Sequence, residues 1–337
     1  MRQALKKKVA VLSLGRSSTD AVGRSSADAT VPNPDSSAGP AEPPPSGSPE
    51  YGVEVLYDPP GATVDICFVH GLTGNRRITW THPTEAEPWP KTLLPGPLPT
   101  ARVLTYGYNA YVVEKAAAET WRPIDHARSL LNDLTNHRLS AGAPDRPLIF
   151  VAHSLGGLLC KKALLDSRDA EPHLRRVFQS LKGVIFLGTP HRGAWMARWA
   201  GIPARALGVL KTTNRSLLDI LNTNSELLDD IHNRFLLMIR DEREGGRPVR
   251  LTCFWEAKPM LRWVVVEKES ASLEGYSAYG IGADHRDMVR FQSPDDPNFQ
   301  RVLGELLRWE GELRSKPVTS PQLCELTPLP FSEIWRS

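Results

Sequence analysis

One serine lies where an apolar run gives way to a glycine-rich run, and its neighbours suit nucleophilic catalysis. The segment LIFVAHSLGGLLCKKALL, residues 148–165, has the pattern of a buried strand, then Ser154, then a helix. The local pattern is a G-x-S-x-G nucleophile elbow in which Ala152 replaces the first glycine and Gly156 is the second. Small residues are needed at both places because the strained turn brings neighbouring backbone close. We therefore expect Ser154 to act as a nucleophile at a strand-to-helix corner.

A serine hydroxyl is a weak nucleophile, so it needs a base, and nine histidines compete for that role. His285, in YGIGADHRDMVRF, follows the last expected strand through a glycine-containing loop, and His191, in GTPHRG, also follows a strand. His153 precedes the nucleophile and should point elsewhere by strand alternation. Sites built on an elbow have the chain order serine, acid, histidine. This order favours His285 over His191 as the base.

The acid that orients the histidine should also follow a strand. Glu256 comes directly after the buried-looking strand in LTCFWEAKP. Glu267 ends the next expected strand, and Asp284 adjoins His285 in sequence. An adjacent residue seldom faces its neighbour's ring nitrogen, so we favour Glu256, with Glu267 and Asp284 as alternatives.

An oxyanion site needs two backbone N–H donors. The N–H of Leu155, at the start of the helix after the elbow, is the first candidate. The second is the N–H of Leu72, since FVHGLTGN ends an early strand at His70 and Gly71. Glycine there permits the backbone conformation that turns an N–H inward.

Alternating strands and helices must position these residues. The pattern favours an α/β fold with a mostly parallel central sheet and helices on both faces. In such sheets the reacting groups gather at the carboxyl ends of the strands. The expected strands are GVEVLY, VDICFVHG, ARVLTYGY, PLIFVAHS, LKGVIFLG, VRLTCFW and RWVVVE, and the clearest helices are RPIDHARSLLNDLTNHR, LGGLLCKKALLDS and NFQRVLGELLRWEGEL.

Composition divides the chain into a folded domain and two flanking segments. Residues 1–50 are basic at the start and then rich in Ser, Pro and Gly, which predicts a disordered tether. Its first residues are either a disordered basic end or a mitochondrial presequence. The folded domain is expected over 51–314, with a cap-like helical insertion at 190–249, and 315–337 as a tail.

The global composition excludes several classes of protein. A net charge of +3 over 337 residues leaves no electrostatic footprint for nucleic acid. Neither H-E-x-x-H nor a phosphate-cradling Gly/Lys loop occurs, so no metal or organic cofactor is implied. The four cysteines lack metal or disulfide spacing and indicate reduced thiols. No apolar run approaches the roughly 20 residues that span a bilayer, which leaves peripheral membrane contact open.

Five motifs together carry a family resemblance: VDICFVHGLTGN, ARVLTYGYNA, LIFVAHSLGGLLCKKAL, VIFLGTPHRG and SAYGIGADHRDMVRF. They resemble the α/β-hydrolase superfamily, over roughly residues 51–313. More narrowly, they are similar to a lipase-like serine esterase family that includes a serine-active-site protein of mitochondria-associated membranes and the N-terminal domains of fungal nucleotide-binding immune-like receptors. The resemblance implies a Ser154–His285–Glu256 triad. Ala152 departs from the family's glycine.

The same resemblance implies a function and a location. It implies hydrolysis of carboxylic esters, with lipid or acyl esters as substrates, or acyl transfer to a lipid alcohol. It also implies association with the mitochondrion or the endoplasmic reticulum; otherwise we expect a cytoplasmic protein. Apolar residues of the insertion would form a lid or a membrane-touching surface, or would simply pack on the sheet: Trp195, Met196, Trp199, Ile202 and Leu207. The alternative from another class is a catalytically silent interaction module on the same fold.

Overall fold

A computed structural model describes most of the expected domain. The described residues are 50–72, 74–108, 123–191, 225–260 and 264–315. The predictions for the N-terminal tether, for most of the insertion and for the tail lie outside them. The proposed lid residues Trp195, Met196, Trp199, Ile202 and Leu207 are also outside the described residues, so the domain boundaries stay a prediction.

Seven strands form a single sheet. Their bounds are β1 Gly52–Tyr57, β2 Val64–Val69, β3 Ala101–Gly107, β4 Leu148–His153, β5 Leu181–Leu187, β6 Arg250–Glu256 and β7 Ser277–Ile281. The order across the sheet is β1-β3-β2-β4-β5-β6-β7. β1 runs antiparallel to β3, and the other five pairs are parallel. β2, β3 and β4 are buried along their whole length, as expected for strands covered on both faces.

Helices cover both faces of this sheet. Their bounds are α1 Trp89–Thr92, α2 Pro123–Ser140, α3 Gly156–Arg168, α4 Pro172–Ser180, α5 Ser225–Glu244 and α6 Pro297–Ser315. One apolar core joins the sheet to α2, α3, α4 and α5, and a second joins the other face to α1 and α6. The chain therefore has the α/β-hydrolase fold predicted from its sequence. Over the described ranges, no helix combines the length and the apolarity needed to cross a membrane.

The last strand is not where the apolar pattern placed it. The prediction of a strand over RWVVVE, residues 262–267, is wrong for its described part, 264–267, which forms bends. Val265 and Val266 are nevertheless buried. The seventh strand is β7, whose side chains alternate between exposed and half-buried before a buried Ile281. A short apolar run indicates burial but does not separate a strand from a buried loop.

The described part of the insertion packs as an ordinary helix. α5 lies within the predicted cap range, and its Ile231, Phe235, Met238 and Ile239 are buried in the same core as α3. This helix therefore covers the sheet rather than standing over a site as a separate layer.

A buried ion cluster ties the other end of the sheet together. Asp65, near the start of β2, is fully buried and faces three arginines. Arg102 approaches it through two nitrogens at 2.8 and 2.9 Å, Arg138 at 2.7 Å and Arg146 at 3.0 Å. These contacts join β2, β3, α2 and the loop before β4. The carboxyl ends of the strands thus carry the candidate site, while this opposite edge carries the cluster.

Candidate active site

Ser154 occupies a strained corner between β4 and α3. Its φ angle is 53°, and it is the one non-glycine residue with positive φ among the described residues. An L-residue in this left-handed region costs energy, so the surrounding structure must hold it there. The Ser154 N–H donates to the carbonyl of Leu187 at the end of β5, at 2.9 Å. The side chain is 2% exposed. This is the geometry of a nucleophile elbow.

Two glycines let neighbouring backbone approach this corner. A Cβ on Gly156 would lie 2.4 Å from the carbonyl oxygen of His70, and a Cβ on Gly71 would lie 2.7 Å from the Cβ of Ser154. Both distances are below any real contact, so each position requires glycine. The loop after β2 therefore lies directly against the nucleophile. The alanine at 152 is fully buried in the core and the elbow forms with it in place.

The structure brings His285 and Glu256 together. The Nδ1 atom of His285 lies 3.5 Å from Oε2 of Glu256, and both side chains are buried. The other oxygen, Oε1, accepts the backbone N–H of Val266 at 2.7 Å. That bond fixes the carboxylate at the end of β6. Val266 belongs to the segment 262–267, for which the sequence pattern wrongly predicted a strand.

Asp284 is engaged elsewhere. Its Oδ1 accepts the backbone N–H groups of Arg286 and Asp287, each at 3.0 Å. This carboxylate therefore caps the short 3₁₀ turn Asp287–Val289 that follows His285. Of the two carboxylates, it is Glu256 that lies beside the imidazole.

His191, the rival base, has both ring nitrogens engaged away from Glu256. Its Nδ1 is 2.7 Å from Lys161 Nζ and its Nε2 is 3.6 Å from Cys253 Sγ. The base prediction therefore stays with His285.

His153 supports the loop that carries His285. Its Nε2–H donates to the carbonyl oxygen of His285 at 3.0 Å, and the two rings are 4.9 Å apart. Trp89 holds the other side of the same loop, because its Nε1–H donates to the carbonyl of Val289 at 2.8 Å. Burial lowers the pKa of His153 well below its usual value, so the ring stays neutral beside the base. Strand alternation, which predicts that His153 points away from Ser154, did not reveal this contact.

His70 holds the loop that carries the Leu72 N–H. The backbone N–H of Tyr108 donates to Nε2 of His70 at 3.4 Å, so Nδ1 carries the proton and donates to the carbonyl of Gly71 at 2.9 Å. Burial lowers the pKa of His70 to about 4, which keeps this tautomer neutral. The Tyr108 ring stacks on His70 at 4.4 Å.

This contact orients the predicted oxyanion donor. In a trans peptide the carbonyl and the following N–H point in opposite directions, so the Leu72 N–H points away from His70. Within the described ranges, neither the Leu72 nor the Leu155 N–H donates to another protein group. Leu155 also precedes the first turn of α3, where free N–H groups and the helix dipole favour negative charge. Both groups are available to an incoming oxyanion.

The arrangement is suited to acyl transfer. It combines a strained serine, an imidazole with a carboxylate beside Nδ1, and two available N–H groups. Ser154 Oγ has no hydrogen-bond partner within the described part of the chain.

The chain resembles curated proteins named SERAC1. The zebrafish (Danio rerio) protein is 29% identical over 261 residues, covering 71% of this chain, and the human (Homo sapiens) protein is 28% identical over 260 residues with the same coverage. The chain spans 38% of the length of these relatives. This likeness confirms the resemblance predicted from the five motifs. No protein-family model matches the chain.

Solved structures with distant similarity include two esterase-type enzymes. A carboxyl esterase from the mycorrhizal fungus Tuber melanosporum is 14% identical with a TM-score of 0.44, covering 79% of this chain and 89% of that one. A metagenome-derived lipolytic enzyme is 12% identical with a TM-score of 0.42, covering 80% of this chain and 99% of the other. The strand order and the elbow described above carry the fold assignment.

Proposed function

We propose that this chain is a serine hydrolase that cleaves carboxylic esters through an acyl-enzyme. The observation that carries the proposal is the left-handed backbone of Ser154, at φ 53°. A non-glycine residue is held in that conformation at a cost, and such strain clusters at active sites. The proximity of His285 to Glu256 supports the same conclusion, as does the likeness to the SERAC1 proteins.

In the proposed mechanism His285 acts as the general base. It takes the proton of Ser154 as Oγ attacks the ester carbonyl carbon, and Glu256 stabilises the imidazolium that forms. The N–H groups of Leu72 and Leu155 bind the oxyanion of the tetrahedral intermediate. When the intermediate collapses, His285 returns the proton to the departing alkoxide. Water, activated by the same imidazole, then attacks the acyl-enzyme and frees the serine.

The proposed substrates are lipid or acyl esters. This part rests on the resemblance to lipase-like esterases, which also supports association with mitochondrial or endoplasmic reticulum membranes. A lipid alcohol in place of water would make the enzyme a transacylase.

A fluorophosphonate probe tests the proposal, because it forms a covalent bond only with an activated serine. We expect the full chain to be labelled and Ser154→Ala to be unlabelled, with intact mass spectrometry showing one adduct and peptide mapping locating it on Ser154. A panel of p-nitrophenyl esters with increasing acyl length then measures the chain preference, and product analysis with added glycerol separates hydrolysis from transfer. Failure to label the folded protein, or equal labelling of Ser154→Ala, would favour the silent interaction module instead.

A further inference from the structure

A second cluster of titratable side chains lies on the helix that begins at the elbow. Lys161, in α3, is fully buried. Its Nζ atom is 2.7 Å from Nδ1 of His191 and 3.0 Å from Nδ1 of His232. His191 follows β5 and His232 lies in α5. One amine therefore joins three elements, and the mechanism above leaves it without a role.

The hydrogen-bond distances around Lys161 are compatible with a neutral cluster. In the arrangement where the amine donates to both rings, each imidazole accepts through Nδ1 and carries its proton on Nε2. The Nε2–H of His191 in turn faces Cys253 Sγ at 3.6 Å. A neutral amine has two N–H groups, which matches its two acceptors. An ammonium would have a third, which among the described residues would face the rings of Phe186 and Phe235, whose centroids are 5.5 and 5.6 Å from Nζ.

The surroundings of the Lys161 amine carry no negative charge in the described part of the chain. Burial, the dominant effect, lowers its pKa from an ordinary 10.5 to about 7. Burial also lowers the pKa of His191 well below its usual value and raises that of the Cys253 thiol to about 12. The groups facing the amine are His191 from the segment after β5, His232 and Phe235 from α5, Phe186 from β5 and Cys253 from β6.

Residues 188–191, here called the strap, connect this cluster to the proposed base. Gly188 has a φ of 56°, and a Cβ on it would lie 3.0 Å from both Cε1 and Nδ1 of His285. The strap backbone therefore lies against the imidazole edge that faces Glu256. The Gly188 N–H donates to the carbonyl of Phe254 in β6 at 2.8 Å.

The rest of the strap rests on one face of α3. Thr189 packs so closely on Gly157 that a Cβ there would lie 2.3 Å from the threonine Oγ1. Gly157 and Lys161 are four residues apart, so they share that face. Thr189 and His191 thus contact successive turns of the helix whose N-terminus follows the nucleophile.

We propose that Lys161 and His191 are positioning residues for His285. Their hydrogen bond fixes the position of the strap, which packs between α3 and the imidazole of His285. This inference rests on the proposed function. The neutral pair holds the strap in a fixed position on α3, the helix that follows Ser154. Uptake of a proton introduces a buried charge that no carboxylate of the described residues faces, and a proton on His191 Nδ1 removes the acceptor of the Lys161 hydrogen bond. The strap then shifts and His285 loses its support. Activity should then depend on two protonations at acid pH, that of the base and that of the pair.

The test measures fluorophosphonate labelling rate against pH, together with kcat and KM for p-nitrophenyl butyrate, on the full chain. In the acid range, we expect the logarithm of the wild-type labelling rate to fall with decreasing pH with a slope of two. For Lys161→Met we expect a slope of one. At pH 8, Lys161→Met should lose about 10- to 100-fold in kcat with little change in KM, the scale of a small misplacement of a catalytic group. Lys162→Met is the matched control, since Lys162 pairs with Asp166, and should match the wild type.

Two further measurements keep the inference falsifiable. His191→Leu should reproduce the loss, and the double variant with Lys161→Met should lose no more than either single one, because both remove the same bond. If the variants do not fold, the wild-type slope decides alone. The inference would be overturned by a wild-type slope of one, by additive losses in the double variant, or by unchanged activity of Lys161→Met. In each of these cases, labelling of Ser154 would still support the proposed function. An unlabelled wild type would overturn both.

Discussion

Replacing Glu256 with Gln tests which carboxylate orients the base. Gln keeps the shape of the side chain, and its amide oxygen can still accept the Val266 N–H that holds Glu256. What is lost is the charge 3.5 Å from His285 Nδ1. At an effective dielectric constant of about 20, an imidazolium and a carboxylate at that distance attract by about 5 kcal/mol. Since 1.36 kcal/mol is tenfold in rate, the expected loss in kcat is roughly 3,000-fold.

Asp284→Asn is the matched control for this experiment. Asn retains the Oδ1 atom that accepts the Arg286 and Asp287 N–H groups, so the turn after His285 should persist. We expect less than a tenfold loss of kcat in this variant. Steady-state hydrolysis of p-nitrophenyl butyrate and the fluorophosphonate labelling rate are the assays, with circular dichroism to verify folding. A larger loss in Asp284→Asn, or a loss below tenfold in Glu256→Gln, would refute the assignment of Glu256.

Three other perturbations follow from the geometry. Gly71→Ala places a Cβ 2.7 Å from that of Ser154, so kinetic activity should fall by about 100-fold or more with the loss of one oxyanion donor. Gly96→Ala is the control: its Cβ meets nothing within 4 Å, so its activity should be unchanged in the same assay. Asp65→Asn leaves buried arginines without their charge partner and should cost about 3–5 kcal/mol in urea unfolding; a cost below about 1 kcal/mol would contradict the role of the ion cluster. Because the folded pKa of Lys161 is depressed to about 7, the unfolded chain binds more protons between that pH and 10.5, so wild-type stability should rise with pH there. The rise relative to Lys161→Met should be up to about 1.4 kcal/mol per pH unit, and parallel curves would show that the amine is charged in the folded protein.

Local sequence was enough to predict the elbow and most of the sheet. Ser154 follows a continuous apolar run and precedes glycines, and both signals act within a few residues. The same local logic failed for residues 264–267, because burial of Val265 and Val266 is compatible with a loop that supplies an N–H to Glu256.

Neighbouring lysines illustrate a second limit. Lys161 and Lys162 have the same chemistry and adjacent positions in α3, yet the first is fully buried and the second forms an ion pair with Asp166. Successive helix residues point about 100° apart, and only the docking of α5 and the strap decides which face is covered.

The sequence by itself determined the strained corner at Ser154, the alternation of strands and helices, and the chain order that singled out His285. These follow from short-range sterics and hydrophobic periodicity, which act along the chain. The sequence favoured Glu256 over Asp284 as the acid, but tertiary structure alone brought its carboxylate within 3.5 Å of the imidazole. Tertiary structure alone also decided that His153 holds the His285 loop and that Lys161 meets two histidines. Those contacts join residues far apart in sequence, so they depend on the relative placement of packed elements, which no local pattern encodes.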